Sequence, residues 1–110
     1  MGQTLLDEGL LAVDLDTVDG MTVLQALSDP VRIGIVRQLA GCADESNGLA
    51  CGHIEVPVTK STASHHFKIL HAAGIVSERD QGTSKYMRLR RVELDERFPG
   101  LLDSVLQATA

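Results

Sequence analysis

Residues 58–76, Val-Thr-Lys-Ser-Thr-Ala-Ser-His-His-Phe-Lys-Ile-Leu-His-Ala-Ala-Gly-Ile-Val, sort polar and apolar side chains onto two faces of one helix. At about 100° per residue, Ala63, Phe67, Leu70 and Gly74 fall within about 40° of one another, the arc a helix turns toward a core. Opposite them lie Ser61, Ser64, His65 and Lys68. These side chains are short enough to let a helix approach a groove, they hydrogen-bond base edges, and Lys68 supplies a cation for a phosphate or a base. Lys60 and Thr62 stand at the helix start, where free N–H groups and the positive helix end favour a phosphate. Further on, Gln81, Gly82, Thr83 and Ser84 sit at the tip of an expected hairpin, where they reach a minor groove or its phosphates with help from Arg79, Lys85 and Arg88. The alternative for that tip is an ordinary polar hairpin.

The histidines and cysteines suggest a second chemistry. His65 and His66 are neighbours on a helix and diverge by about 100°, so they do not readily chelate one ion together. His65 belongs to the polar face, whereas His66 falls about 60° from the apolar stripe and is read as packed or phosphate-touching. His71, near the end of the same helix, is assigned no role. Cys42, Cys51 and His53 would give three soft or borderline ligands, enough for a thiophilic or zinc-like ion if the intervening loop gathers them. A thiol redox switch and plain structural cysteines are the competing readings, and the last is preferred because buried cysteine is common.

The elements that position these residues follow from the pattern of caps and breakers. Residues 1–16 mix leucines with acids and Gly9, and read as a flexible arm or a weak helix. From Thr17, Val18, Met21, Leu24 and Leu27 have helical spacing, and Ser28-Asp29-Pro30 begins a second helix, with Asp29 as cap and Pro30 at its first position. That helix is expected to run to Ala40 with Gly41 after it, and its apolar residues surround it as in a buried central helix. Residues 41–57 are broken by Gly41, Gly48, Gly52 and Pro57, leaving room for a short supporting helix near Asn47–Cys51. Thr59 caps the two-faced helix. Ile75–Arg79 and Lys85–Arg90 flank a five-residue turn and read as a hairpin, with Met87 and Leu89 inward and Tyr86, Arg88 and Arg90 outward. Pro99-Gly100 divides a short turn from a terminal helix. The fold class is therefore mainly α with a small β-hairpin, a winged helix-turn-helix over residues 17–108.

The chain has 110 residues and a net charge of −5, which argues against a polyanionic partner until its distribution is considered. Residues 59–91 carry seven basic side chains against Glu78 and Asp80. Charges more than about 8 Å apart are largely screened at physiological salt, so a phosphate on this segment feels little of the distant acids. A solvated charged face is the plainer explanation of the same block. Phe67, Tyr86 and Phe98 are the only aromatic residues, too few for base-stacking platforms, so duplex is favoured over single strands. No apolar run reaches the length of a membrane span and no signal peptide is evident, so a cytoplasmic chain with reduced cysteines is expected.

Leu27-Ser-Asp-Pro-Val-Arg32, Lys60-Ser-Thr-Ala-Ser-His-His-Phe-Lys-Ile-Leu70, Ala73-Gly-Ile-Val76 and the hairpin together resemble the ArsR-type bacterial transcriptional regulators. The resemblance covers roughly residues 18–106. It implies a symmetric homodimer, joined through the first and last helices, that represses by occupying a palindromic operator on double-stranded DNA. It also implies metal sensing through cysteines before the recognition helix, but Cys51-Gly-His53 only faintly matches that Cys-x-Cys pattern. The second sensing position, on the final helix, lacks histidine here. A sequence-reading DNA-binding repressor with no cofactor and no catalytic residues is the leading expectation. The alternative is a winged-helix protein-interaction module. An enzyme is disfavoured, since neither a nucleophile elbow nor a phosphate loop is present.

Overall fold

Two aspartates start the first two helices. The computed structural model describes residues 3–7, 10–41, 48–81 and 84–110, with residues 3–7, 10, 11, 51, 81 and 84 described through their backbone alone. Helix α1 (Gly20–Leu27) begins where the Asp19 carboxylate accepts from the Thr22 N–H at 2.9 Å, three residues later than the apolar spacing suggests. The residues Leu15–Thr17 before it form a single 3-10 turn capped by Asp14. Helix α2 (Pro30–Ala40) has the expected bounds: Asp29 accepts from the Val31 and Arg32 N–H groups at 2.9 and 3.1 Å, and Gly41 follows the last turn. Ile35 and Val36 are fully buried, as a central helix requires.

The short helix expected near Asn47–Cys51 is not formed by the described residues. Strand β3 (Leu49–Ala50) runs there instead and is followed by one 3-10 turn, Cys51–His53; Asn47 lies outside the described residues. Gly48 explains the difference, because it has φ 75° and an added Cβ would lie 1.9 Å from the Met87 carbonyl oxygen. The backbone passes too close to the neighbouring strand for any side chain, and the left-handed conformation breaks a helix at its start.

Helix α3 (Lys60–Ala72) opens at Thr59, whose hydroxyl accepts from the Thr62 N–H. It closes in a Schellman turn: the Gly74 N–H donates to the His71 carbonyl at 3.0 Å and the Ile75 N–H to that of Leu70 at 3.1 Å. Gly74 takes φ 78°, and a Cβ there would meet Leu15 at 2.5 Å. The sequence Ala73-Gly74-Ile75-Val76 thereby turns the chain from helix directly into sheet.

The hairpin forms, but as part of a larger sheet. Strands β4 (Val76–Gln81) and β5 (Ser84–Leu89) pair through Gln81 and Ser84, so only Gly82 and Thr83 separate the strands instead of five residues. Those two residues, both assigned to the tip, lie outside the described residues. The N-terminal segment, read as an arm or a weak helix, contributes β1 (Gln3–Asp7) and β2 (Leu10–Val13), and β2 pairs with β4 through Leu10–Arg79 and Leu11–Glu78. The antiparallel sheet has the order β1-β2-β4-β5-β3. An exposed β4 edge offers N–H and C=O groups that a leucine-rich segment satisfies, which outweighs the weak helical preference of the same residues.

Helices α4 (Arg91–Arg97) and α5 (Leu101–Ala108) are split at Phe98-Pro99-Gly100, where Gly100 has φ 79°. The core joins α1, α2 and α3 to the inner face of the hairpin through Val76, Met87 and Leu89, and Leu94 and Leu102 close it from below. The result is mostly helical with a small antiparallel sheet, a winged helix-turn-helix.

Burial pushes the Asp29 carboxyl up, but the two N–H groups it accepts from and the nearby Arg32 charge hold it below the ordinary carboxylate value. A depressed value means the cap's electrostatic stabilisation is present above the unfolded pKa of about 3.9 and is lost as pH falls through the folded one. Asp29→Ala is expected to lower stability by about 1 kcal/mol near neutral pH. Urea unfolding from pH 7 down to acid should show the gap to wild type closing; a pH-independent gap would remove the charged cap from the explanation.

Candidate nucleic-acid interface

Helix α3 projects one polar face. Lys60, Ser61, Thr62, Ser64, His65 and Lys68 are all exposed, while Ala63, His66, Leu70 and His71 are buried. The division expected from the helical wheel is therefore the division in the fold, with His66 on the packed side. Thr62 is partly committed, since its hydroxyl accepts from Thr59 at 3.1 Å. The N–H groups of Lys60 and Ser61 have no helical acceptor, which leaves donors at the positive end of the helix.

The basic segment is less uniform than its composition. Lys85 lies 3.7 Å from Glu78, Arg88 3.5 Å from Glu93, and Arg91 2.8 Å from Asp103. Arg90, expected on the outer face of the hairpin, is buried instead: its Nη1 donates to the Val13 carbonyl at 2.6 Å and to that of Gly74 at 3.4 Å. A guanidinium placed where a helix end meets two strand ends finds orphan carbonyls there, so Arg90 serves the fold. Burial pulls its pKa below the ordinary value, against the opposing pull of Glu93. Arg91 donates to Asp103 of α5. Among the described residues, Lys60 and Lys68 of α3 have no carboxylate partner.

The hairpin sets two cations on one face and one on the other. Cross-strand pairs share a side, so Arg79 with Tyr86, and Ser77 with Arg88, face away from the core pairs Val76–Leu89 and Glu78–Met87. Lys85, opposite Asp80, is on the same side as Met87, as the alternation along β5 requires. Lys85 thus extends the helix-packed side of the wing beyond the core, and Arg79 and Arg88 line its back.

Behind α3 lies a polar contact that the helical wheel does not reveal. Arg32 Nη1 is 3.1 Å from His66 Nδ1, and Asp29 Oδ2 lies 3.9 Å from the same nitrogen. The only signal for it in the sequence is the Asp29-Pro-Val-Arg32 run itself, whose cap and cation lie one turn apart on α2. His71 is 4% exposed, with neither ring nitrogen hydrogen-bonded to any described residue. Of the metal-ligand candidates, Cys42 and the Cys51 side chain lie outside the described residues and His53 is exposed. Among the described residues, no group of three His, Cys, Asp or Glu side chains could hold a metal ion. No helix there is long and apolar enough to cross a membrane.

A family model described as "Bacterial regulatory protein, arsR family" matches residues 29–78, from the α2 cap to the third residue of β4. The chain is also 35% identical over 85 residues to a Bacillus subtilis (strain 168) protein named as an uncharacterized HTH-type transcriptional regulator, YceK. That match spans 76% of this chain and 82% of the relative.

Cap and exposed face should separate in stability measurements. Thr59→Val is expected to lower stability by about 1 kcal/mol by freeing the first turn of α3. Ser61→Ala and Ser64→Ala should stay within about 0.5 kcal/mol of wild type, since their side chains have no partner in the described chain. Thermal melts of the three variants test this, and equal losses at all three would mean the exposed face carries folding contacts.

Proposed function

Because the chain belongs to the arsR family of bacterial regulatory proteins, and so is a DNA-binding transcriptional regulator and not an enzyme, we propose that it is a homodimeric repressor of a palindromic operator. The observation that carries the reading is the α3 face: six exposed polar side chains, two of them lysines without carboxylate partners, on a helix whose other side is buried in the core. Ser61, Ser64, His65 and Lys68 read base edges in the major groove; Lys60 and Thr62 meet a phosphate at the helix start. Arg79, Lys85 and Arg88, with Gly82 and Thr83 between the strands, hold the flanking backbone. Such a protein works in the cytoplasm, where the DNA is.

The apolar surface that α1 leaves uncovered supports the dimer. Met21 is 63% exposed and Leu24 41%, neighbouring turns of one helix, although both are apolar. α5 lines a common cleft with α1 through Leu101 and Leu102 against Val23 and Leu27, so α1 and α5 together offer the surface for a second copy. Two copies joined there set their recognition helices into successive major grooves about 34 Å apart, and a two-fold dimer requires a two-fold site. Repression is then steric, by occupancy.

Lys68→Ala should weaken binding and lower the slope of log K against log salt by about 1, as expected for loss of one phosphate contact. Fluorescence anisotropy on a duplex selected by the wild-type chain from a randomised pool measures both. An unchanged affinity and slope takes Lys68 out of the interface. Met21→Asp with Leu24→Asp should yield a monomer by sedimentation equilibrium and loss of tight binding; a dimer that survives both changes places its interface elsewhere. If the wild-type chain enriches no duplex but captures a protein partner, the same fold serves protein interaction.

A further inference from the structure

The guanidinium of Arg32, carried on α2, touches two other helices. Its Nε donates to the Ala26 carbonyl at 2.6 Å and its Nη2 to that of Gln25 at 3.3 Å, both in the last turn of α1. Its Nη1 reaches His66 Nδ1 on α3 at 3.1 Å, while its own backbone N–H is held by Asp29 at the start of α2. The last turn of α1 contains no basic residue, so Arg32 is the cation that satisfies the Ala26 carbonyl, joins Ser28 at that of Gln25 and complements the helix's negative end. Arginine has no acceptor, so the bond requires a lone pair on His66 Nδ1. His66 is 9% exposed, which makes this a contact made inside the molecule and not one available to DNA.

We propose that Arg32 and His66 are positioning residues for sequence reading, fixing the recognition helix α3 against the last turn of α1. This rests on the reading of α3 as the DNA-contacting helix and of α1 as part of the dimer surface. A helix held to its neighbours by apolar packing alone can roll or slide by small amounts, because dispersion contacts are non-directional. One directional bond from a planar guanidinium, itself anchored at two carbonyls of α1, removes that freedom. Base-edge hydrogen bonds depend on such small displacements, whereas phosphate attraction does not, so loss of the contact should degrade discrimination more than general affinity.

The position of the acceptor gives the test. His66→Asn keeps an oxygen where Nδ1 stands, whereas His66→Gln carries its polar atoms further out, toward Nε2. Arg32→Met keeps most of the stem and removes the guanidinium. The full-length chain and each variant are titrated with the duplex selected by wild type and with a duplex of unrelated sequence at the same salt. His66→Asn should retain the wild-type ratio of selected to unrelated affinity. His66→Gln and Arg32→Met should each reduce that ratio by roughly tenfold or more, the effect of a lost charge-assisted bond, with unrelated-duplex affinity nearly unchanged. Equal ratios in all four proteins, equal losses in both His66 variants, or parallel loss on both duplexes would overturn the positioning role. A wild-type chain that selects no duplex would instead remove the DNA-reading assignment on which it rests.

Discussion

Arg90 carries a positive charge into the place where α3 ends and the sheet begins, and the mutual angles of both depend on it. Its guanidinium bonds the last carbonyl of β2 and the Gly74 carbonyl, and its backbone N–H donates to Ile75 at 3.0 Å. Glu93, 3.9 Å away at the start of α4, is the nearby countercharge. A charge this deep is costly unless hydrogen-bonded, so the strand ends and the helix turn must stay where their carbonyls meet it. Arg97 repeats the device nearby, donating to the Leu15 carbonyl at 3.4 Å and to that of Val18 at 3.2 Å while lying 4.6 Å from the centre of the Phe98 ring. Two arginines thus tie the segment linking β2 to α1 onto the wing and α4.

That arrangement changes what the basic segment means. By composition, residues 59–91 look like a continuous cationic surface. In the fold, Arg90 is consumed by carbonyls and Arg88, Arg91 and Lys85 stand beside carboxylates, whereas Lys60 and Lys68 of α3 have no carboxylate partner among the described residues. An acidic protein can therefore present a local positive helix without a positive total, because pairing removes the other cations from competition as effectively as distance does.

Local chemistry made the helices legible in the sequence. Asp29-Pro30, Thr59 and Gly74 each act through contacts within a few residues, so cap, start and stop were readable at α2 and α3, and the wheel of α3 correctly assigned its exposed and packed sides. The N-terminal strands were not legible, because their residues have no strong alternation and become strands only against the edge of β4. The Asn47–Cys51 helix failed for a related reason: Gly48 is required by the close passage of β5, a partner nearly 40 residues away in sequence. Arg90 and Arg32 were misjudged or missed because a cation's partners are backbone carbonyls, and carbonyls leave no mark in the sequence.

The same distinction separates the two kinds of specificity built into α3. Its outer face is written in side-chain types, and on the proposed reading a change of type there would alter which bases are met. Its orientation is held from behind, by Arg32 at His66 and by the Schellman turn at Gly74, contacts that determine where those side chains are presented. Both restraints are directional and sit at different points along the helix, His66 near the middle and Gly74 just past the end. Two separated directional restraints fix an axis in a way that one cannot, since a helix pinned at a single point still pivots about it. The polar face can therefore diverge freely among chains with this fold, provided the residues behind it hold the axis to which that face is attached.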